Sequence, residues 1–256
     1  MENSVIEKKK YLSRRDISTF TVEDSVESIG DWAFANCINL KTIRLPRGIK
    51  LGRGVFKGCK KLTNICIADR GEDDLSYLLA TCAVRLPAQY LLVDEEVGSA
   101  HWLEKWDLAL SSYINQSDLE GYTNQVLCGE EDISTDGIKS VDGELLGESS
   151  EYVKNMTKNK CYLCFLRLMH KEGLSKENGK KLCEYIKNSP VSWTCILEDF
   201  DELLDYCEMY VNIIKPSASE VDEMIGGLGN KHTQIKSYLI SLRSGMDVDM
   251  FGELML

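Results

Sequence analysis

Apolar positions in the first part of the chain recur with a long period. Phe34, Cys37, Leu40, Ile43 and Leu45 return as Phe56, Cys59, Leu62, Ile65 and Ile67, each 22 positions later, and Ile29-Gly30 returns as Leu51-Gly52. A degenerate earlier copy, Ile17, Phe20 and Val22, matches Leu40, Ile43 and Leu45 if one residue is absent between Leu45 and Phe56. Self-similarity of this kind marks a stack of short units, each too small to bury its apolar face alone. The second half of a unit alternates, so Ile43 and Leu45 point to one side of a strand while Thr42 and Arg44 point to the other. The Phe and Cys positions then fill the interior as the chain turns back. Glycines at 30, 48, 52 and 58 permit the corners, and Pro46 ends a strand. The pattern predicts one contiguous buried stack of Phe34, Cys37, Leu40 and Ile43 with their four counterparts.

From Glu72 onward the period becomes helical. Asp73-Asp74 opens a helix that Pro87 closes, and Ser99 caps a second containing Trp102, Leu103, Trp106, Leu110 and Tyr113. Ser117 to Glu120 reads as a capping box for a third helix reaching Cys128. Residues 129–150 are rich in Gly, Ser and acidic side chains without periodicity, which predicts a mobile acidic loop. Helices resume over 152–172, 175–188, 193–214, 218–227 and 231–243. Ser175, Ser217 and Asn230 serve as caps and Gly173, Asn188 and Gly229 as stops.

The run from Val22 through Ser28, Ile29-Gly30 and Ala33-Phe34, followed by Asn36-Cys37, Leu40 and Ile43, resembles the unit of the BspA-like leucine-rich repeat family. The resemblance implies a right-handed coil of short strands and a role in binding proteins or surfaces. The expected fold class is α+β: a short leucine-rich-repeat β coil over residues 1–70, with an N-terminal cap, followed by an all-α irregular bundle or solenoid over 71–256. The helix after Gly71 is expected to cover the C-terminal end of the stack.

Composition supports a boundary near Arg70-Gly71. Residues 1–70 hold 14 Lys/Arg against 8 Asp/Glu, a balance of +6, whereas the remainder holds 16 against 33, a balance of −17. No apolar run approaches the ~20 residues of a membrane span. Residues 1–15 are polar and charged, so no secretory signal is expected, and the expected compartment is the cytoplasm. The 10 cysteines fall within apolar patterns, which points to reduced, buried thiols rather than a disulfide framework.

Several constellations suggest chemistry and fall short of it. Cys161 and Cys164, with His170 and Cys183, have a zinc-like spacing, but on a helix His170 faces away from Cys161 and both cysteines lie in an apolar stripe. Asp132, Ser134, Asp136 and Gly137 open like a calcium loop, yet Gly143 stands where the closing Glu belongs and Lys139 takes an apolar position. The glycines at 52, 54 and 58 and those at 226, 227 and 229 lack nucleotide-binding spacing. His101, His170 and His232 have no recognisable nucleophile beside them. The basic residues Lys41, Arg44, Arg47, Lys50, Arg53, Lys57, Lys60 and Lys61 carry no interleaved aromatics.

These readings predict a non-enzymatic protein-interaction module, a cytoplasmic adaptor or scaffold, with no cofactor and no metal. Its expected partner is another protein, not a membrane and not nucleic acid. The expected partner-binding residues are those facing out of the strands: Thr19, Thr21, Thr42, Arg44, Asn64 and Cys66. The alternatives are an enzyme or metal site in the helical half, drawing on Trp102, Cys128, Glu130 and Glu131, or nucleic-acid binding by the basic repeats.

Overall fold

The computed structural model describes residues 4–67, 74–92, 96–118, 140–141, 144–145, 148–200 and 203–253. The architecture is mixed α+β, with small parallel sheets first and helices afterwards. Six short strands come first: β1 (Ser4–Ile6), β2 (Thr19–Thr21), β3 (Val26–Ile29), β4 (Thr42–Leu45), β5 (Lys50–Leu51) and β6 (Asn64–Ile67). They alternate between two parallel three-stranded sheets, in the orders β1-β3-β5 and β2-β4-β6.

The register reproduces the sequence period. Thr42, Ile43, Arg44 and Leu45 pair with Asn64, Ile65, Cys66 and Ile67, a step of 22, while Thr19, Phe20 and Thr21 pair with Thr42, Ile43 and Arg44, a step of 23. The extra residue is absorbed at a bulge, where Ser4 pairs with Val26 but Val5 with Ser28, leaving Glu27 over. Ser28 then pairs with Lys50, so the third unit reaches its strand one residue sooner. This is the residue missing between Leu45 and Phe56.

Stacking satisfies backbone donors from one unit to the next. Tyr11 and Ser13 N–H groups donate to Ala33 and Ala35, and Phe34 and Asn36 donate to Val55 and Lys57. Phe34, Cys37, Leu40, Ile43, Cys59 and Ile65 are fully buried, and Phe56 and Leu62 nearly so. Burying each large side chain among them stabilises the stack by roughly 1.5–3 kcal/mol. Tyr11, Phe20, Phe34 and Phe56 form an aromatic column, with Phe34 4.9 Å from both Tyr11 and Phe20 and 6.1 Å from Phe56.

Helix α1 (Asp74–Val84) packs against β6, the last strand of its sheet, and Ser76 Oγ donates to Asn64 Oδ1 at 3.0 Å. A 3-10 turn (Gln89–Leu91) leads to α2 (Ala100–Asn115), where Ser99 accepts from the Trp102 N–H as its cap. The indoles of α2 tie these pieces together: Trp102 Nε1 donates to Leu91 O and Trp106 Nε1 to Leu78 O. The third helix read from Ser117 and most of the loop at 129–150 lie outside the described residues. At the C-terminal end of that loop stands a hairpin, β7 (Ser140–Val141) with β8 (Glu144–Leu145).

The remaining helices among the described residues are α3 (Glu148–Met169), α4 (Lys176–Asn188), α5 (Ser192–Asp199), α6 (Leu204–Ile214), α7 (Ala218–Leu228) and α8 (Thr233–Glu253). The single helix expected over 193–214 is two. The break falls where Glu198 and Asp199 crowd carboxylates at the negative end of α5, and Lys158 Nζ answers both at 2.7 and 3.6 Å. Phe200 turns inward there, stacking on Tyr206 at 3.8 Å and Tyr162 at 4.7 Å. Helix α8 begins at Thr233 rather than at an Asn230 cap, and it runs ten residues past 243. No helix among the described residues is long and apolar enough to cross a membrane.

The chain divides into two compact units. One holds β1–β6, α1, α2 and residues 166–179; the other holds β7, β8, α3 as far as Phe165, and the helices from Lys180 on.

Candidate protein-interaction surface

The pleat of β2, β4 and β6 sends alternate side chains out of the repeat interior. Thr19, Thr21 and Arg44 are exposed, and Thr42 is half-buried between them. Thr21 and Arg44 are direct neighbours across the parallel pair. This part of the surface offers hydroxyl groups, which donate and accept, beside one guanidinium with five donors.

The third strand departs from expectation. Cys66 lies beside Arg44 in register but is 2% exposed, because α1 packs onto β6. Asn64 is half-buried, accepts from Ser76 Oγ and donates to Thr63 Oγ1 at 3.3 Å. Of the six residues read from the alternation, Cys66 is therefore corrected to a covered position. Asn64 is partly occupied, and Thr19, Thr21, Thr42 and Arg44 make the accessible group.

Among the other constellations, the described cysteines take part in packing. Cys161 and Cys164 are fully buried, and Cys161 Sγ donates to Ser189 Oγ at 3.0 Å. His170 stacks on Tyr77 with ring centroids 5.3 Å apart. Burial pushes the Cys59, Cys82 and Cys207 thiols up to about 12, so they stay protonated and are poor nucleophiles at neutral pH. His101 is exposed between Glu96 and Glu104, at 3.8 and 3.6 Å. Trp102 is buried and bonded to Leu91; Cys128, Glu130 and Glu131, like the calcium-like residues 132–139 and Gly143, lie outside the described residues. A shallow open hollow of about 500 Å3 beside α8 is lined by Leu204 and Tyr238 with four polar side chains, Thr233, Gln234, Ser237 and Ser241.

One feature of the basic repeats was not visible in the sequence. Trp32 lies within reach of two ammonium groups, Lys8 Nζ at 5.0 Å and Lys9 Nζ at 5.7 Å from its ring centroid, so an aromatic does interleave with basic residues. The residues involved are 24 and 23 positions apart and meet only because successive units stack.

No curated protein and no solved structure matches the chain. A family model, the BspA type leucine rich repeat region (6 copies), matches residues 4–83, a stretch that takes in strands β1–β6 and most of α1. Residues 4–83 are thus a BspA-type leucine-rich repeat region, and the helices beyond them remain unassigned.

Proposed function

We propose that this chain is a non-enzymatic protein-interaction module, an adaptor or scaffold acting in the cytoplasm. In this reading the repeats wind as a right-handed coil over residues 1–70, and an irregular helical bundle or solenoid follows. Leucine-rich repeats generally mediate protein interactions. The observation that carries the proposal is the register of Thr21 beside Arg44 on an exposed strand face, next to Thr19 and Thr42. Such a face combines adaptable hydroxyl groups with an arginine, a residue type enriched at interface hot spots. Residues 71–256 carry the chain's acidic balance, and α1 packs on β6 at the C-terminal end of the repeats.

The test is quantitative capture of partners by tagged wild type and by Arg44→Glu, with Lys60→Glu as a charge-matched control. A genuine partner is retained by wild type and control and lost from the Arg44 variant. Its affinity for purified protein then falls by about tenfold or more, the size of a modest hot spot. Equal retention by all three proteins removes the strand face from the interface.

A further inference from the structure

In each of the three units two residues after the first strand take a left-handed backbone, and the first of them is Lys9 at φ 60°, Trp32 at φ 54° or Gly54 at φ 60°. Backbone bonds stack these corners, from Lys9 N–H to Asp31 O at 3.0 Å and from Trp32 N–H to Arg53 O at 2.9 Å. Glycine suits this conformation, and a bulky aromatic there is an outlier that burial would ordinarily have to offset. Trp32, however, is only half-buried. Its strained backbone therefore holds an indole at the surface, which points to use rather than to packing.

The neighbouring unit is shaped around that ring. A Cβ on Gly54 would stand 2.8 Å from both Cδ1 and Nε1 of Trp32, so only glycine leaves the ring its seat. Around it lie four exposed cations: Lys8 and Lys9 over the ring, Arg53 next to Gly54, and Lys57, whose Cβ borders the same seat. Among the described residues none of the four has a carboxylate partner. Asp31, in the same corner, uses Oδ1 to accept the Arg53 backbone N–H at 2.8 Å. Among the described residues the Trp32 indole N–H likewise has no acceptor.

We infer that this corner, Lys8, Lys9, Trp32, Arg53 and Lys57 seated on Gly54, is a docking site for an acidic segment of a partner protein. Cation–π contact holds the two lysine tails over the ring before any partner arrives, so binding freezes less motion than it would for free side chains. A carboxylate adds to the outer side of those ammonium groups and leaves the cation–π contact in place, while a second accepts the indole N–H. A nucleobase would have to displace the lysines to stack on the ring, which favours an acidic peptide over single-stranded nucleic acid. This site extends the interaction reading to a second surface. The two fail separately, because Arg44 is no part of the corner.

The test measures fluorescence anisotropy of labelled octaglutamate with the full chain, at low and at moderate salt. Wild type should bind, and both Lys8→Glu/Lys9→Glu and Arg53→Glu should weaken binding by about tenfold. Lys60→Glu/Lys61→Glu, the same charge change elsewhere on the repeats, should cost no more than about threefold. Trp32→Phe keeps the ring and removes the N–H, and should give an intermediate loss. Arg44→Glu should leave octaglutamate binding unchanged. The Lys8 and Lys9 side chains are exposed, so their reversal tests the site even if a Trp32 variant fails to fold. No binding by wild type, equal losses in corner and control variants, or tighter binding of oligothymidylate than of octaglutamate would each overturn the inference.

Discussion

The thiol of Cys59 donates to the carbonyl oxygen of Phe34, one unit earlier and 3.1 Å away, just as Cys37 donates to Tyr11 at 3.0 Å. The repeated cysteine is thus more than a small apolar filler. Each gives a second donor to a carbonyl that already accepts a backbone N–H from Cys37 or Arg14. Burial pushes the Cys59 thiol up to about 12, which keeps the proton on the donor. Cys59→Ala should destabilise the chain by about 1–3 kcal/mol, combining a small cavity with a lost hydrogen bond. Urea unfolding checks this, and a loss under about 0.5 kcal/mol would reduce the cysteine to filler.

The aromatic column predicts a larger effect. Phe56 is 3% exposed and stacks on Phe34 at one end of the aromatic column. Phe56→Ala should cost about 3–5 kcal/mol, the range for removing a buried aromatic. A loss below about 1 kcal/mol in the same unfolding experiment would show that the site collapses around the smaller side chain.

Gly54 and Trp32 should be energetically coupled. Gly54→Ala places a methyl group against the indole and forces a non-glycine residue to φ 60°, for a cost of about 1–3 kcal/mol. In a Trp32→Ala background the clash is gone and only the backbone strain remains. The double-mutant cycle should therefore return a coupling of at least about 0.5 kcal/mol, measured from chemical denaturation. Strict additivity would mean that the ring moves aside freely.

How much of this was legible in the sequence depends on what each feature rests on. The stack was legible because its side chains repeat in type and spacing: the steps of 22 and 23 follow from Phe34 and Phe56 and from Phe20 and Ile43. The caps at Ser99 and Ser217 were legible because capping is local chemistry. Cys66 was misjudged because alternation tells which way a side chain leaves its strand, not whether a later helix covers it. The break after Asp199 has no Gly or Pro to announce it; it depends on Phe200 finding Tyr162 and Tyr206. The Trp32 corner depends on a positive φ and on residues from three units, neither of which a single repeat displays.

Arg167, the one completely buried arginine among the described residues, is held by Asp107, with Nε to Oδ1 at 2.6 Å and Nη2 to Oδ2 at 3.2 Å. Its remaining donors reach the carbonyls of His170 and Glu172, so the guanidinium also caps the end of α3. Removing the carboxylate strands a buried charge, and Asp107→Ala should cost about 3–5 kcal/mol. Replacing both partners, with Asp107→Leu and Arg167→Met, should cost less than that single change, because no unpaired charge remains. A double replacement at least as damaging as Asp107→Ala would show that the carbonyl cap matters more than the ion pair.

Glu220 completes the capping box of α7: its carboxylate accepts the Ser217 backbone N–H at 2.7 Å and the hydroxyl at 2.8 Å, while Ser217 Oγ receives the Glu220 N–H. Those donors favour the ionised form and hold the Glu220 carboxyl below its usual range. A depressed folded pKa adds stability that is fully present above the unfolded value and is lost as pH falls through the folded one. Glu220→Gln keeps an acceptor oxygen at this position but cannot ionise. The melting temperature of wild type should therefore exceed that of the variant at neutral pH, and the gap should close as the solution is taken below the ordinary carboxylate range. Because the group is exposed, the gap should also shrink with added salt. A gap that stays constant from neutral to acid pH would mean that the ionised carboxylate adds nothing to the cap beyond what an amide oxygen provides.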